Sequence, residues 1–149
     1  MNINEALEWV KRIENLPDIY SAIEDAVIAV VNSYYSEIIE VEKLEAKIIS
    51  KKEYEERSLD IHMATKRKVH SKYWSNSAGF YQPCSASSHP NHVWEALSDI
   101  EVYQNGDDDN QLFIFRGKYK DPSHGVVTMR VYILKRVGNE LKIEHEFYG

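Results

Sequence analysis

The sequence predicts an α+β domain in which N-terminal helices pack on one face of a curved antiparallel sheet. Apolar residues recur at three- and four-residue spacing from Asp18 to about Ile49, as they do in a helix with one buried stripe. Between residues 111 and 148 they instead alternate with polar residues, as they do in strands. Because the helices come first and the strands follow, the two kinds of element should segregate into two layers. A long helix laid across the sheet would produce a half-open cone.

Three predicted strands form the last third of the chain, at Gln111–Lys120, Val126–Val137 and Glu140–Tyr148. The segments between them, Asp121–Gly125 and Gly138-Asn139, contain the residue types that hairpin turns require. Strict alternation predicts one dry face, made of Phe113, Phe115, Tyr119, Val127, Met129, Val131, Ile133, Leu141, Ile143 and Phe147. The other face should be wet, with Arg116, Lys118, Thr128, Arg130, Arg136, Lys142, Glu144 and Glu146 around Tyr132 and Leu134.

Three helical segments are predicted before the strands. Residues 2–15 form a short amphipathic extension, which Pro17 ends because proline cannot continue a helix. The long helix follows, and Ser50-Lys-Lys-Glu53 matches a capping box that begins the third helix. That third helix should end near His70–Trp74.

An irregular stretch links the helices to the strands. Residues 74–92 are rich in Ser, Gly, Pro and Asn, which favour loops, and a helical turn at Val93–Ser98 and a strand at Ile100–Gln104 follow them. The chain has 149 residues, which suits one domain, with residues 1–16 as a helical extension of it.

Charge and cysteine content narrow the function classes. The net charge is −6, with 14 acids against 7 bases in residues 1–60, so a nucleic-acid partner is not expected while a basic protein partner is permitted. Cys84 is the single cysteine, and no run of about eighteen apolar residues or secretory leader is present. A cytoplasmic protein without membrane attachment is the expectation.

No metal, cofactor or catalytic residue is predicted. His89 and His92 stand three apart without a cysteine pair, so these histidines are expected on the surface or in turns. The run Asp107, Asp108 and Asp109 lacks the alternating layout of a calcium loop. No glycine-rich phosphate loop or Ser-His-Asp order occurs.

One possible pocket lies inside the predicted cone. His145 alternates in phase with Ile143 and Phe147, and Tyr119 with Phe115, so both should point into the dry face. Tyr35 and His62 could approach from the helices, and the four residues would then form a proton-transfer or ligand site. The predicted strands place no inward carboxylate beside His145, and a lone histidine on an apolar face is usually a core or rim residue.

The layout over residues 18–149 resembles the nuclear transport factor 2-like superfamily, a cone-shaped α+β fold. Within it the chain is most similar to bacterial immunity proteins of polymorphic toxin systems. The likeness rests on the final hairpin, Met129–Glu144, and on the aromatic and proline-containing stretch with Tyr73-Trp74 and Tyr81-Gln-Pro83.

This resemblance implies a protein that binds and neutralises a cognate toxin. Two partner-binding surfaces are expected: the acids Asp107, Asp108 and Asp109, and the outer sheet face around Arg116, Arg130 and Tyr132. That sheet face could also form a homodimer. The superfamily includes isomerases, dehydratases and carriers, so a small-molecule-binding protein or enzyme using the cone cavity is the alternative.

Overall fold

Two helices and a four-stranded antiparallel sheet make up the part of the chain that the structure describes. The computed structural model describes residues 21–50, 56–75, 89–105 and 112–148. The elements are α1 (Ser21–Ser50), α2 (Glu56–Tyr73), a 3₁₀ turn (Trp94–Ala96), β1 (Leu97–Asn105), β2 (Leu112–Lys120), β3 (Val127–Val137) and β4 (Glu140–Tyr148). The predicted α+β class, with helices packed on an antiparallel sheet, is confirmed. The predicted extension at residues 1–16 lies outside the described residues.

The sheet is a simple meander in the order β1-β2-β3-β4, so each strand pairs with its neighbour in sequence. Glycine closes two of the turns: Gly125 has φ 72° and Gly138 has φ 63°, a region that residues with a Cβ rarely adopt. In the β2–β3 turn the Gly125 amide donates to the Asp121 carbonyl at 2.7 Å. This turn sets the register of the two central strands.

The register places different residues under α1 than alternation predicted. Phe115 lies opposite Tyr132, and Phe113 lies opposite Leu134, so these four side chains share the helix side of the sheet. The prediction that Val131 and Ile133 join Phe113 and Phe115 is therefore wrong by one residue along β3. Both faces of β3 are apolar, so alternation within that strand could not identify the helix side.

Helix α1 packs its apolar stripe on this helix side. Val27, Val31 and Tyr34 recur at helical spacing and lie almost fully buried, as do Tyr35 and Ile38. The sheet contributes seven buried residues to the same core: Val102, Phe113, Phe115, Tyr119, Tyr132, Leu134 and Ile143. The core thus lies between α1 and the helix side of the sheet.

The opposite face of the sheet is also apolar and buried, which corrects the prediction of a wet face. A second cluster there consists of Tyr103, Ile114, Val131, Ile133 and Phe147. All of these side chains are no more than 9% exposed. The buried part of this face is therefore unsuited to be the open charged contact surface that the sequence predicted.

A β-bulge in β4 changes which residues face α1. Ile133 pairs with His145 but Leu134 pairs with Ile143, so Glu144 is an extra residue on β4. Before the bulge Ile143 faces the helix, whereas after it Glu146 faces the helix beside Tyr132. His145 consequently lies on the opposite face, which contradicts its predicted position.

The two helices are joined to each other and to the edge of the sheet. Lys72 of α2 contacts Glu37 of α1 at 3.0 Å, and the Ser75 amide donates to the Ile143 carbonyl on β4 at 2.9 Å. The predicted end of the third helix near His70–Trp74 is confirmed by the end of α2 at Tyr73. Neither described helix has the length and apolar character that crossing a membrane requires.

Candidate functional site

A histidine held between two carboxylates lies at the centre of the helix side. His92 Nδ1 is 3.1 Å from both carboxylate oxygens of Glu42 on α1, and His92 Nε2 is 3.2 Å from Glu146 Oε2 on β4. Glu42 also accepts the backbone amides of Asn91, at 3.1 Å, and of His92, at 3.0 Å. These bonds fix the segment before the 3₁₀ turn between the helix and the sheet.

A chain of hydroxyl groups extends this triad to an arginine. Glu146 accepts a hydrogen bond from the Tyr148 hydroxyl at 2.5 Å, and the Tyr132 hydroxyl on the paired strand also lowers the pKa of Glu146. The Tyr132 and Tyr35 hydroxyl oxygens are 2.7 Å apart, and Arg130 Nη1 donates to the Tyr35 hydroxyl at 3.0 Å. We call the connected set Glu42, His92, Glu146, Tyr132, Tyr35 and Arg130 the buried network.

Aromatic rings surround the arginine of this network. The Arg130 Cζ atom lies 3.4 Å from the centre of the Tyr119 ring and 5.0 Å from that of Tyr148, within reach of cation–π attraction. The Tyr119 hydroxyl accepts the Val93 amide at 3.2 Å, so this ring is fixed in place by the segment that carries His92. The segment that carries His92 is therefore connected to Arg130 through the Tyr119 ring as well as through the tyrosine hydroxyls.

Interactions within the network favour the charged forms of His92 and Glu146. Burial alone would lower the pKa of His92, but hydrogen bonds and charges from Glu146 and Glu42 outweigh it and raise that pKa to about 9. Burial would raise the pKa of Glu146, but His92, Tyr132 and Tyr148 lower it to about 2. Near neutral pH the network therefore carries an imidazolium and a guanidinium against two carboxylates, and its formal charges cancel.

The hydroxyl groups of Tyr35 and Tyr132 are weaker acids than an exposed tyrosine. Burial is the largest cause that raises the pKa of Tyr35 and of Tyr132 above the ordinary value of 10. General acid–base catalysis works best with groups whose pKa lies near the working pH. None of the shifted groups in the network has such a pKa, so the arrangement is suited to fix geometry rather than to move protons.

Two of the four predicted pocket residues belong to this region and two do not. Tyr35 is in the network and Tyr119 packs against Arg130, as the preceding distances show. His145 stacks on Phe147 on the other face, where burial lowers its pKa. His62 lies on α2, with Nε2 3.5 Å from Glu45 Oε2, and takes no part in the network.

The predicted partner-binding residues are also divided between regions. Tyr132 and Arg130, expected on the outer face, are 0% and 4% exposed on the helix side. Arg116 does lie on the opposite face, where it donates to Glu101 and sits over the Tyr103 ring. The run Asp107–Asp109 lies outside the described residues. The register correction along β3 explains why Tyr132 and Arg130 were misplaced.

Three charged residues of the network were missed from the sequence. Glu42 follows Tyr35 by seven residues and Ile38 by four, so its place on the buried stripe of α1 was detectable. Glu146 faces inward only because of the bulge, which alternation cannot predict. His92 was expected at the surface or in a turn; it is instead 8% exposed, and His70 is likewise buried, stacked on Trp74.

Neither metal binding nor similarity to known proteins assigns a function to this site. Within the described ranges, no cluster of three or more His, Cys, Asp or Glu side chains has an arrangement that could hold a metal ion. Comparison with protein-family models, curated proteins and solved structures finds no match to this chain.

Proposed function

We propose that this chain is an immunity protein that binds a cognate toxin and neutralises it by protein–protein contact. The observation that carries the proposal is the filled interior on the helix side. Tyr35, Tyr119 and Tyr132 are each no more than 1% exposed, and their rings and the Arg130 side chain occupy the region around the network. A small-molecule site needs concave space with convergent polar groups, and here those groups, apart from the Nε–Nη2 edge of Arg130, bond to one another instead.

The state of the ionisable groups supports the same proposal. His92 and Glu146 have pKa values of about 9 and about 2, far from neutrality on either side. An isomerase or dehydratase would need at least one group that exchanges protons readily near neutral pH. A buried ion cluster that fixes one arrangement of helix, loop and sheet instead favours a rigid scaffold whose outer surface does the binding.

The outward sides of the helices offer features that suit a protein partner. Leu44 on α1 is 57% exposed and Ile61 on α2 is 61% exposed, and exposed acids, Asp25 and Glu40, lie on the same helix as Leu44. Apolar anchors supply lasting affinity, whereas acidic side chains accelerate the encounter with a basic surface. The net charge of −6 favours a basic partner, such as a toxin that acts on nucleic acid.

The experiment coexpresses the chain with the product of the gene directly upstream of its own, since immunity genes follow their toxin genes. We expect the upstream product alone to stop growth, coexpression to restore it, and the two proteins to elute together in size-exclusion chromatography. Growth arrest that the chain does not relieve overturns the proposal. Relief of arrest without a complex also overturns it and favours the alternative, an enzyme or carrier that acts on a small molecule.

A further inference from the structure

The guanidinium of Arg130 has one unused side. Its side chain is buried, with the residue 4% exposed, and Nη1 donates to the Tyr35 hydroxyl at 3.0 Å. Nε is fully buried and makes no hydrogen bond, and Nη2 has none to any described residue. In an arginine Nε and Nη2 lie on the same edge, which presents two parallel N–H groups to a carboxylate. This edge of Arg130 has no carboxylate within ion-pair distance in the described part of the chain.

Arg116 shows how the same edge is used elsewhere in this protein. Its Nε donates to Glu101 Oε2 at 3.2 Å, and its Nη2 donates to the same oxygen. Arg116 is also over a tyrosine ring, that of Tyr103, with its Cζ 5.6 Å from the ring centre. The two arginines thus have similar aromatic neighbours and differ in whether a carboxylate meets the Nε–Nη2 edge.

We propose that Arg130 is a binding site for one carboxylate group, which pairs with the Nε–Nη2 edge once the Tyr148 ring moves aside. Tyr148 is 54% exposed, and the network holds it through the bond from its hydroxyl to Glu146 Oε1. The centre of its ring is 5.0 Å from Arg130 Cζ, and Tyr119, the other tyrosine beside the guanidinium, is only 1% exposed. Tyr148 is therefore the side chain whose rotation admits a ligand.

The charge of the surroundings selects the ligand class. Glu42, Glu146, His92 and Arg130 together are formally neutral, so a monoanion adds one negative charge to the site and a dianion adds two. A planar carboxylate can accept both parallel donors at once, one oxygen to each N–H group. The carboxylate could come from a small molecule or from an acidic side chain of a protein partner, since both present the same group.

The test follows the Arg130 Nε–H signal of the full chain by NMR during titration with sodium benzoate, sodium acetate and inorganic phosphate. Sodium chloride at equal ionic strength is the reference. The signal is assigned with Arg130→Lys, and Arg116→Lys is the matched control because its edge already carries Glu101. We expect saturable shifts with both carboxylates and not with phosphate, unchanged in Arg116→Lys. Arg130→Lys lacks this N–H group, so its binding is followed through the backbone amide signal of Tyr148, and it should be about tenfold weaker because lysine cannot form the two-pronged pair.

A second variant keeps the test decisive if Arg130→Lys fails to fold. Tyr148→Phe keeps the ring but removes the bond to Glu146, so carboxylates should bind severalfold more tightly. The proposal is overturned if the carboxylates cause no larger shifts than sodium chloride does, in both the natural chain and Tyr148→Phe. Saturation by benzoate at low concentration supports a small-molecule source. Much tighter binding by a glutamate-containing peptide with apolar neighbours supports a protein source. The free chain is used throughout, so the result does not depend on the proposed toxin.

Discussion

The hydroxyl oxygens of Tyr35 and Tyr132 lie 2.7 Å apart, although the two residues are 97 positions apart in the sequence. Both side chains are fully buried, and their rings meet edge to face at 5.9 Å. The pair joins the centre of α1 to the centre of β3. It also connects Arg130 to the Tyr132 hydroxyl, across the sheet from Glu146, because the Tyr35 hydroxyl can donate one bond while it accepts another.

Removing one hydroxyl of this pair should destabilise the fold. Tyr132→Phe keeps the ring but leaves the buried Tyr35 hydroxyl without this partner and removes a hydroxyl that lowers the pKa of Glu146, so we expect the free energy of unfolding to fall by about 1–3 kcal/mol. Tyr103→Phe is the control, because its hydroxyl bonds to Glu101 at a partly exposed site and should matter less. Urea denaturation measures both. Equal losses in the two variants would contradict the role of the network.

Stability should depend on pH through His92. Its pKa is about 9 in the folded protein against an ordinary value of 6.5, so the contribution is fully present below about 6.5 and is lost as the pH rises through 9. The gap between the two values corresponds to about 3 kcal/mol. Denaturation midpoints from pH 6.5 to 9 should fall steeply in the natural chain and less steeply in His92→Gln.

His70 provides the matched control for that measurement. It is also buried, but burial lowers its pKa to about 4, so it is neutral in both folded and unfolded chains over most of the range above 6.5. His70→Gln should therefore keep the steep decline toward pH 9. If His70→Gln flattened the decline as much as His92→Gln, the assignment of the titration to His92 would be wrong.

Neutralising Glu146 should unbalance the network. Glu146→Gln has nearly the same shape but leaves His92 with one carboxylate instead of two, so its pKa should fall from about 9. Removing one partner from a buried ion pair typically costs about 3–5 kcal/mol. NMR titration of the His92 ring gives the pKa, and Glu140→Gln on the same strand, with its side chain 69% exposed, is the control. An unchanged His92 pKa in Glu146→Gln would show that Glu42 alone sets it.

Truncating Phe115 tests the register of β2 and β3. Phe115 is 0% exposed between Tyr132 and Trp94, so Phe115→Ala should lower the free energy of unfolding by about 3–5 kcal/mol. Val127→Ala on the neighbouring strand removes a side chain that is 56% exposed and should change stability by less than about 0.5 kcal/mol. Comparable effects of the two changes would place Phe115 outside the core.

The toxin hypothesis makes a kinetic prediction about the acidic loop. Reversing Asp107, Asp108 and Asp109 to lysine should slow association with a basic toxin severalfold and flatten the salt dependence of the rate. Stopped-flow mixing at low and high salt measures the rate. An unchanged rate at low salt would exclude this loop from the recognition surface, and exposed residues of α1 such as Glu40 would be the next to reverse.

The general layout could be predicted because periodicity is a local property of the chain. The α1 stripe through Val31 and Ile38, and the strands ending at Lys120 and Tyr148, follow from spacing and turn residues alone. The helix side of β3 could not be predicted, because Tyr132 and Leu134 are as apolar as Val131 and Ile133. That choice depends on pairing with β2, which a single strand does not encode.

The candidate site was harder to predict than the fold because its charged residues come from distant segments. Glu42 had a detectable position on the buried stripe of α1. Glu146 and His145 exchange faces through one extra residue, Glu144, and nothing in the alternation of β4 marks that bulge. His92 lies in an irregular segment, where no periodicity indicates burial.

The triad also has a consequence for the order in which the chain folds. Each strand pairs with its sequence neighbour, so the meander forms from short-range contacts. His92 instead bonds to Glu42, 50 positions before it, and to Glu146, 54 positions after it. Closing loops of this length before any bond forms is entropically costly, so the helix pair and the meander can each collapse first. The ion triad is then a late closure, formed when these two parts meet.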